Sequence, residues 1–137
     1  ILIHEAAAKG DIEAVKKHLA DGADVNAKND LWGPPLIAAA ASGHKEIVEL
    51  FIAEGADVHA KADETRTPLR EAALEGHREI AKLLIAKGSD VNAMGEDGKT
   101  ILDWAAHPDN PNADAEIADL LRKHGAKTGE ELKAEGK

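Results

Sequence analysis

The sequence predicts an all-α solenoid of about four stacked helix pairs, and three observations carry that reading. A 33-residue repeat runs through most of the chain, apolar residues recur at helical spacing inside each repeat, and short Ala-rich segments end on glycine. Gly22-Ala23-Asp24-Val25-Asn26-Ala27 returns as Gly55-Ala56-Asp57-Val58-His59-Ala60 and again as Gly88-Ser89-Asp90-Val91-Asn92-Ala93, each time 33 residues on. A weaker copy begins at Gly125-Ala126 after a step of 37 residues. Repeats of this length mark solenoids, whose units bury their apolar faces only by stacking on a neighbour.

Each unit reads as two helices. Unit 1 (1–28) has Ala6–Ala8 in its first helix, a stop at Gly10, and Ile12, Val15 and Leu19 along its second. Unit 2 (29–61) repeats this with Ala38–Ala41, Gly43, and Ile47, Leu50 and Phe51, the last expected in the core. Unit 3 (62–94) opens on Thr67-Pro68, a hydroxyl cap followed by proline at the first helical position, and continues through Ala72-Ala73, Gly76, Ile80, Leu83 and Leu84. Glycine at the helix stop suits a left-handed residue. Unit 4 (95–127) has Ala105-Ala106, then Ile117, Leu120 and Leu121, with an inserted loop at 107–115 carrying two prolines and several cap formers. In the tail (128–137), Thr128-Gly129-Glu130-Glu131 matches a capping box for a short final helix, the alternative being a frayed end.

Composition narrows the function classes. The 137 residues carry a net charge of −9 with Lys and Arg interspersed among Asp and Glu, which argues against a phosphate-gripping nucleic-acid surface. The chain has no cysteine, hence no disulfide, thiolate nucleophile or cysteine zinc site, and this fits a reducing cytoplasm. No apolar run reaches membrane-spanning length, and the opening Ile1-Leu2-Ile3 stretch is too short for a signal peptide. The chain lacks an initiator Met, so targeting information can have been lost.

With these motifs in view, Thr67-Pro68-Leu69, Ala72-Ala73, Gly76-His77, Glu79-Ile80, Leu83-Leu84 and Gly88-Ser89-Asp90-Val91-Asn92-Ala93 resemble the ankyrin repeat. The resemblance covers nearly the whole chain. It implies helix pairs stacked in an arc, β-turn fingers at the junctions, and a concave face of finger tips and first helices for protein partners. The terminal units depart from the pattern: the first lacks a finger, and the last carries the insertion.

Chemistry is sparse. Ser42 lies near His44 and Glu46, but residues two apart at a helix junction do not face one another, and no oxyanion loop accompanies them. Ser42 reads better as a variable surface residue. Among seven histidines no His-x-x-x-His pair falls on one helix, and His44 and His77 are equivalent scaffold positions rather than converging ligands. Gly95-Glu96-Asp97-Gly98 lacks the ligand ladder of a calcium loop and reads as a finger turn. The expectation is no catalytic residue, no metal and no cofactor.

Departures between units carry the functional information. At the finger tip Gly98 is matched by Trp32 and Thr65, where a side chain strains the turn by about 1 kcal/mol, with Gly33 offsetting this in unit 2. The hydroxyl caps Thr67 and Thr100 are matched by Pro34. The next slot, usually histidine in the family and His4 here, holds Ile37, Arg70 and Asp103. Trp32 either packs back on a neighbouring finger or, with Leu31 and Ile37, forms an interface hot spot; the second is favoured because aromatic anchors ringed by polar groups suit binding. The expected partner-binding set is Asp30, Leu31, Trp32, Ile37 and Ser42 in unit 2, Arg66, Arg70, Glu71 and Leu74 in unit 3, and Lys99, Trp104 and His107 in unit 4. Trp104 can alternatively belong to the core.

The expectation is therefore a monomeric protein-binding module that meets another protein on its concave face, with neither nucleic acid nor membrane as partner. A stability scaffold without a dedicated ligand is the rival, and an enzyme using groove acids and histidines is a third reading. A near-constant framework with divergent tips resembles an engineered or designed binder, whereas the irregular loop fits a natural parent with a reworked surface.

Overall fold

The computed structural model describes residues 2–30, 33–63, 65–95 and 97–136. Among them are nine helices: α1 (Ile3–Lys9), α2 (Ile12–Ala20), α3 (Pro35–Ser42), α4 (Lys45–Ala53), α5 (Pro68–Leu74), α6 (Arg78–Ala86), α7 (Ile101–Ala105), α8 (Ala115–Lys123) and α9 (Gly129–Ala134). The first helices α1, α3, α5 and α7 stack in one layer, and the second helices α2, α4, α6 and α8 stack in another. No helix among the described residues is long and apolar enough to cross a membrane.

None of these helices exceeds nine residues, too short to persist alone in water, so packing must hold them. The first-helix layer is built on alanine: Ala6, Ala7, Ala39, Ala40, Ala72, Ala73 and Ala105 are buried. Such small side chains let adjacent units approach closely. The second layer supplies the bulk, with Val15, Ile47, Val48, Phe51, Ile80, Leu84, Ile117 and Leu121 all buried. Each large aliphatic or aromatic group so buried contributes about 1.5–3 kcal/mol. Phe51 is fully buried, as the helical spacing predicts.

His44 and His77 fasten the units together. Each occupies the N-cap position of a second helix yet makes no side-chain cap. The ring turns back instead to the preceding unit, where His44 Nε2–H donates to Ala8 O at 3.1 Å and His77 Nε2–H to Ala41 O at 3.0 Å. A carbonyl can only accept, so Nε2 carries the proton. The rings lie on Gly10 and Gly43, which adopt φ of 79° and 81°. A Cβ at either glycine would come within 2.6 Å of the imidazole Cε1, so those glycines serve both the left-handed stop and the close approach.

The recurring six-residue loops have their own logic. Asp24, Asp57 and Asp90 each accept a hydrogen bond from the amide two residues on, at 2.8–2.9 Å. These local turns lead into the fingers, which close by isolated antiparallel bridges at Asn29–Gly33, Ala62–Arg66 and Met94–Thr100. The left-handed residue differs among them: Gly33 in the first (φ 67°), Asp63 in the second (φ 55°) and Gly98 in the third (φ 74°). The expected strain at Thr65 is thus displaced to Asp63, and aspartate tolerates that region better than a β-branched residue. The offset expected of Gly33 is present, and a Cβ there would meet the Ala62 Cβ of the next finger at 2.7 Å.

The tail forms α9 with a complete capping box, in which the Thr128 hydroxyl accepts from Glu131 N–H and the Glu131 carboxylate from Thr128 N–H. It docks on unit 4. Gly129 N–H donates to Asp103 Oδ2 at 2.8 Å, Thr100 Oγ1 donates to Lys127 O at 2.7 Å, and Leu132 is buried.

Candidate functional site

The fingers and the outer faces of the first helices hold most of the expected partner-binding residues. Arg66 leaves the second finger and Glu71 leaves α5, and Arg66 Nε donates to Glu71 Oε1 at 2.8 Å. Arg70 NH1 approaches the same oxygen at 3.8 Å, and Arg66 NH1 lies 3.8 Å from Asp63 Oδ2. The Glu71 side chain is only 13% exposed, so one shielded carboxylate orients two guanidinium groups. The hydrogen bond fixes Arg66 before anything binds, with Arg70 drawn alongside, which lowers the ordering cost of an interface.

Beside this network runs a cleft of about 410 Å³ between the first two fingers, lined by Lys28, Asn29, Asp30, Gly33, Lys61, Ala62, Asp63 and Arg66. Its charged walls alternate in sign, with three cations and two carboxylates. Lys28 and Lys61 are one period apart, as are Asp30 and Asp63. Of these, the sequence reading singled out Asp30 and Arg66. The repeat spacing itself was the available signal for the others. Met94, at the slot of Lys28 and Lys61, is 46% exposed on the third finger and was also missed.

In unit 4, Trp104 is half-buried and its ring stands 5.3 Å from that of His107, tilted by 35°. His107 Nδ1 accepts from Asp109 N–H at 3.0 Å, and Asn110 Nδ2 donates to Trp104 O at 3.1 Å. The inserted loop is therefore tied to the aromatic pair. Its Asn112 also lies over Gly76, in the place that the His44 and His77 rings take over Gly10 and Gly43. Asp114 caps α8 and accepts from Arg78 Nε at 2.6 Å, with Glu116 3.1 Å from Arg78 NH1. Burial opposes ionisation of Asp114, but the Arg78 bond and the amides of Ile117 and Glu116 outweigh it and hold the carboxyl below its usual range.

The remaining expected residues divide. Asp30, Ser42 and Lys99 are exposed, and Leu74 is half-buried. Ser42 and Lys99 join neither the arginine network nor the Trp104–His107 pair. Leu31 and Trp32 lie outside the described residues. Ile37 is corrected: it is fully buried, with Cδ1 3.7 Å from the Cβ position of Gly33. The slot itself explains this, because His4 there is also buried and reaches inward to Ala27 O at 2.6 Å. Isoleucine at that inward position fills the space beneath the finger and presents nothing to a partner. Asp103, in the same slot, is turned to the tail. Burial opposes its ionisation, but bonds from Thr100 and Gly129 keep the carboxyl below its ordinary value.

Among the described residues, no three His, Asp or Glu side chains come together as a metal-binding group. The family model for ankyrin repeats (3 copies) matches residues 3–95. No curated protein matches the chain.

Proposed function

From the premise that the chain belongs to the ankyrin repeat family, whose repeats are generally protein-protein interaction modules, we propose that it is a non-catalytic module that holds another protein on its finger tips and first helices. The preorganised Arg66–Glu71–Arg70 network beside the interfinger cleft is the observation that carries this reading. A partner bearing both acidic and basic side chains would satisfy the alternating walls of the cleft. Asp30, Leu31, Trp32, Ser42, Arg66, Arg70, Glu71, Leu74, Lys99, Trp104 and His107 form the proposed surface, from which Ile37 is removed. The module acts as a monomer in a reducing, cytoplasmic setting. A near-constant framework with divergent tips supports an engineered binder, built on a natural parent that contributed loop 107–115.

The test is a partner selected from a displayed protein library, followed by alanine substitutions. Trp32→Ala and Arg66→Ala are each expected to weaken affinity by about 2 kcal/mol, as hot-spot residues do, with little loss of stability. Glu49→Ala and Lys82→Ala on the second helices should leave affinity unchanged. A large stability loss with unchanged affinity at Trp32 would remove its role, and failure to select any partner would favour the ligand-free scaffold.

A further inference from the structure

The loops 22–27, 55–60 and 88–93 form a row with segment 125–127, and a side-chain carboxamide closes two of its three seams. At the first seam Asn26 Nδ2 donates to Gly55 O at 3.2 Å, and Asn26 Oδ1 accepts from Asp57 N–H at 2.9 Å. At the third, Asn92 Nδ2 donates to Gly125 O at 3.1 Å, and Asn92 Oδ1 accepts from Lys127 N–H at 2.8 Å. Two independent copies therefore show one recognition geometry, in which a carbonyl and an amide two residues apart grip a primary carboxamide.

The middle seam breaks the pattern. His59 stands where the others have asparagine, and it is exposed. Among the described residues its side chain has no hydrogen-bond partner, and neither have the equivalent Gly88 O and Asp90 N–H. Imidazole cannot substitute, because its two nitrogens point away from each other and cannot meet both groups as a carboxamide does. Ser89 departs at the same seam, where the other loops have Ala23, Ala56 and Ala126. Its hydroxyl is shielded from solvent and has no hydrogen-bond partner among the described residues, an arrangement that is unfavourable unless something compensates. Ser89, His59, Asp90 and Asn92 line a crevice of about 260 Å³ beside this seam, with Gly88 outside its lining.

We propose that the middle seam is a subsite for a carboxamide, the side chain of an asparagine or glutamine carried by the protein partner. The amide N–H donates to Gly88 O and the amide oxygen accepts from Asp90 N–H. A carboxylate fits badly, since it has no donor and sets an oxygen against the Gly88 carbonyl. An ammonium group fits badly because it cannot accept from Asp90 N–H. The partner is the one invoked by the binding-module reading, but recognition of the amide is a property of the seam and is tested without it.

The experiment titrates the whole ¹⁵N-labelled chain with acetamide, and with N,N-dimethylacetamide and acetate as probes that lack the donor. Acetamide is expected to shift the Asp90 amide resonance progressively, and the two controls to shift it far less. His59→Asn should abolish the response by filling the seam from within, and should raise Tm by roughly 2–5 °C through two added hydrogen bonds. His59→Ala should keep the response without the rise in Tm. Equal shifts from acetamide and N,N-dimethylacetamide, a response that survives in His59→Asn, or no rise in Tm would overturn the proposal. With a selected partner in hand, His59→Asn should weaken binding by roughly ten- to a hundredfold, the value of two lost hydrogen bonds. Unchanged affinity there, beside a loss on Arg66→Ala, would overturn use of the seam by the partner and leave the finger surface standing.

Discussion

His77 sits where two demands compete for one ring: it could cap α6, and it instead bonds to Ala41 O in the preceding unit. Loss of that bond leaves a part-buried carbonyl without its donor and uncovers Gly43. His77→Ala should therefore lower stability by about 1–3 kcal/mol, read from urea denaturation, and His44→Ala should behave alike. Gly43→Ala should cost at least about 1 kcal/mol from the positive φ alone, before the contact with His77 is counted. Ser89→Ala should go the other way, gaining about 1 kcal/mol by removing an unpaired shielded hydroxyl; a clear loss on denaturation would contradict that. The sequence shows His44 and His77 in register and shows the glycines beside them. It does not show which way a ring turns, because that is decided by a carbonyl some 36 residues earlier. Ile37 was misread for a related reason. It was grouped with Leu31 and Trp32 as one apolar run at the finger, whereas the burial of His4 marks its slot as inward.

At the scale of elements, α9 and loop 107–115 depart most from the repeat, and both are held by carboxylates. Asp103 accepts from Thr100 N–H and Gly129 N–H, and its carboxyl is held below the ordinary value in the folded chain. Its contribution to docking α9 is full above the ordinary aspartate value and is lost as pH falls through the lowered one. The Gly129 amide should lose its exchange protection in that acidic window, and Asp103→Ala should remove the protection at neutral pH. Protection that persists in the variant would show that Leu132 alone docks the helix. For the loop, Arg78→Ala should speed proteolytic cleavage within 107–115 while Tm barely moves, since exposed ion pairs add little to global stability. The capping box of α9 was legible in Thr128 and Glu131, because it is local. That Asn112 takes the place of a histidine against Gly76 was not legible, because the insertion shifts the repeat out of register.

For the molecule as a whole, the 33-residue period carries the architecture, and the family match over 3–95 ends as unit 4 begins. Stacking makes stability a sum over units and seams, which leaves the fingers free to vary. That freedom is why the site is less legible than the fold: Arg70 was visible as a departure and Arg66 and Glu71 as its neighbours on the expected surface, but their mutual orientation depends on a finger and a helix meeting in space. Hydrogen–deuterium exchange on the chain with and without a selected partner tests the central claim most directly. Protection confined to 28–42 and 61–74, with α4 and α6 unchanged, is the predicted result; protection centred on α4 and α6, with the fingers unchanged, would contradict it.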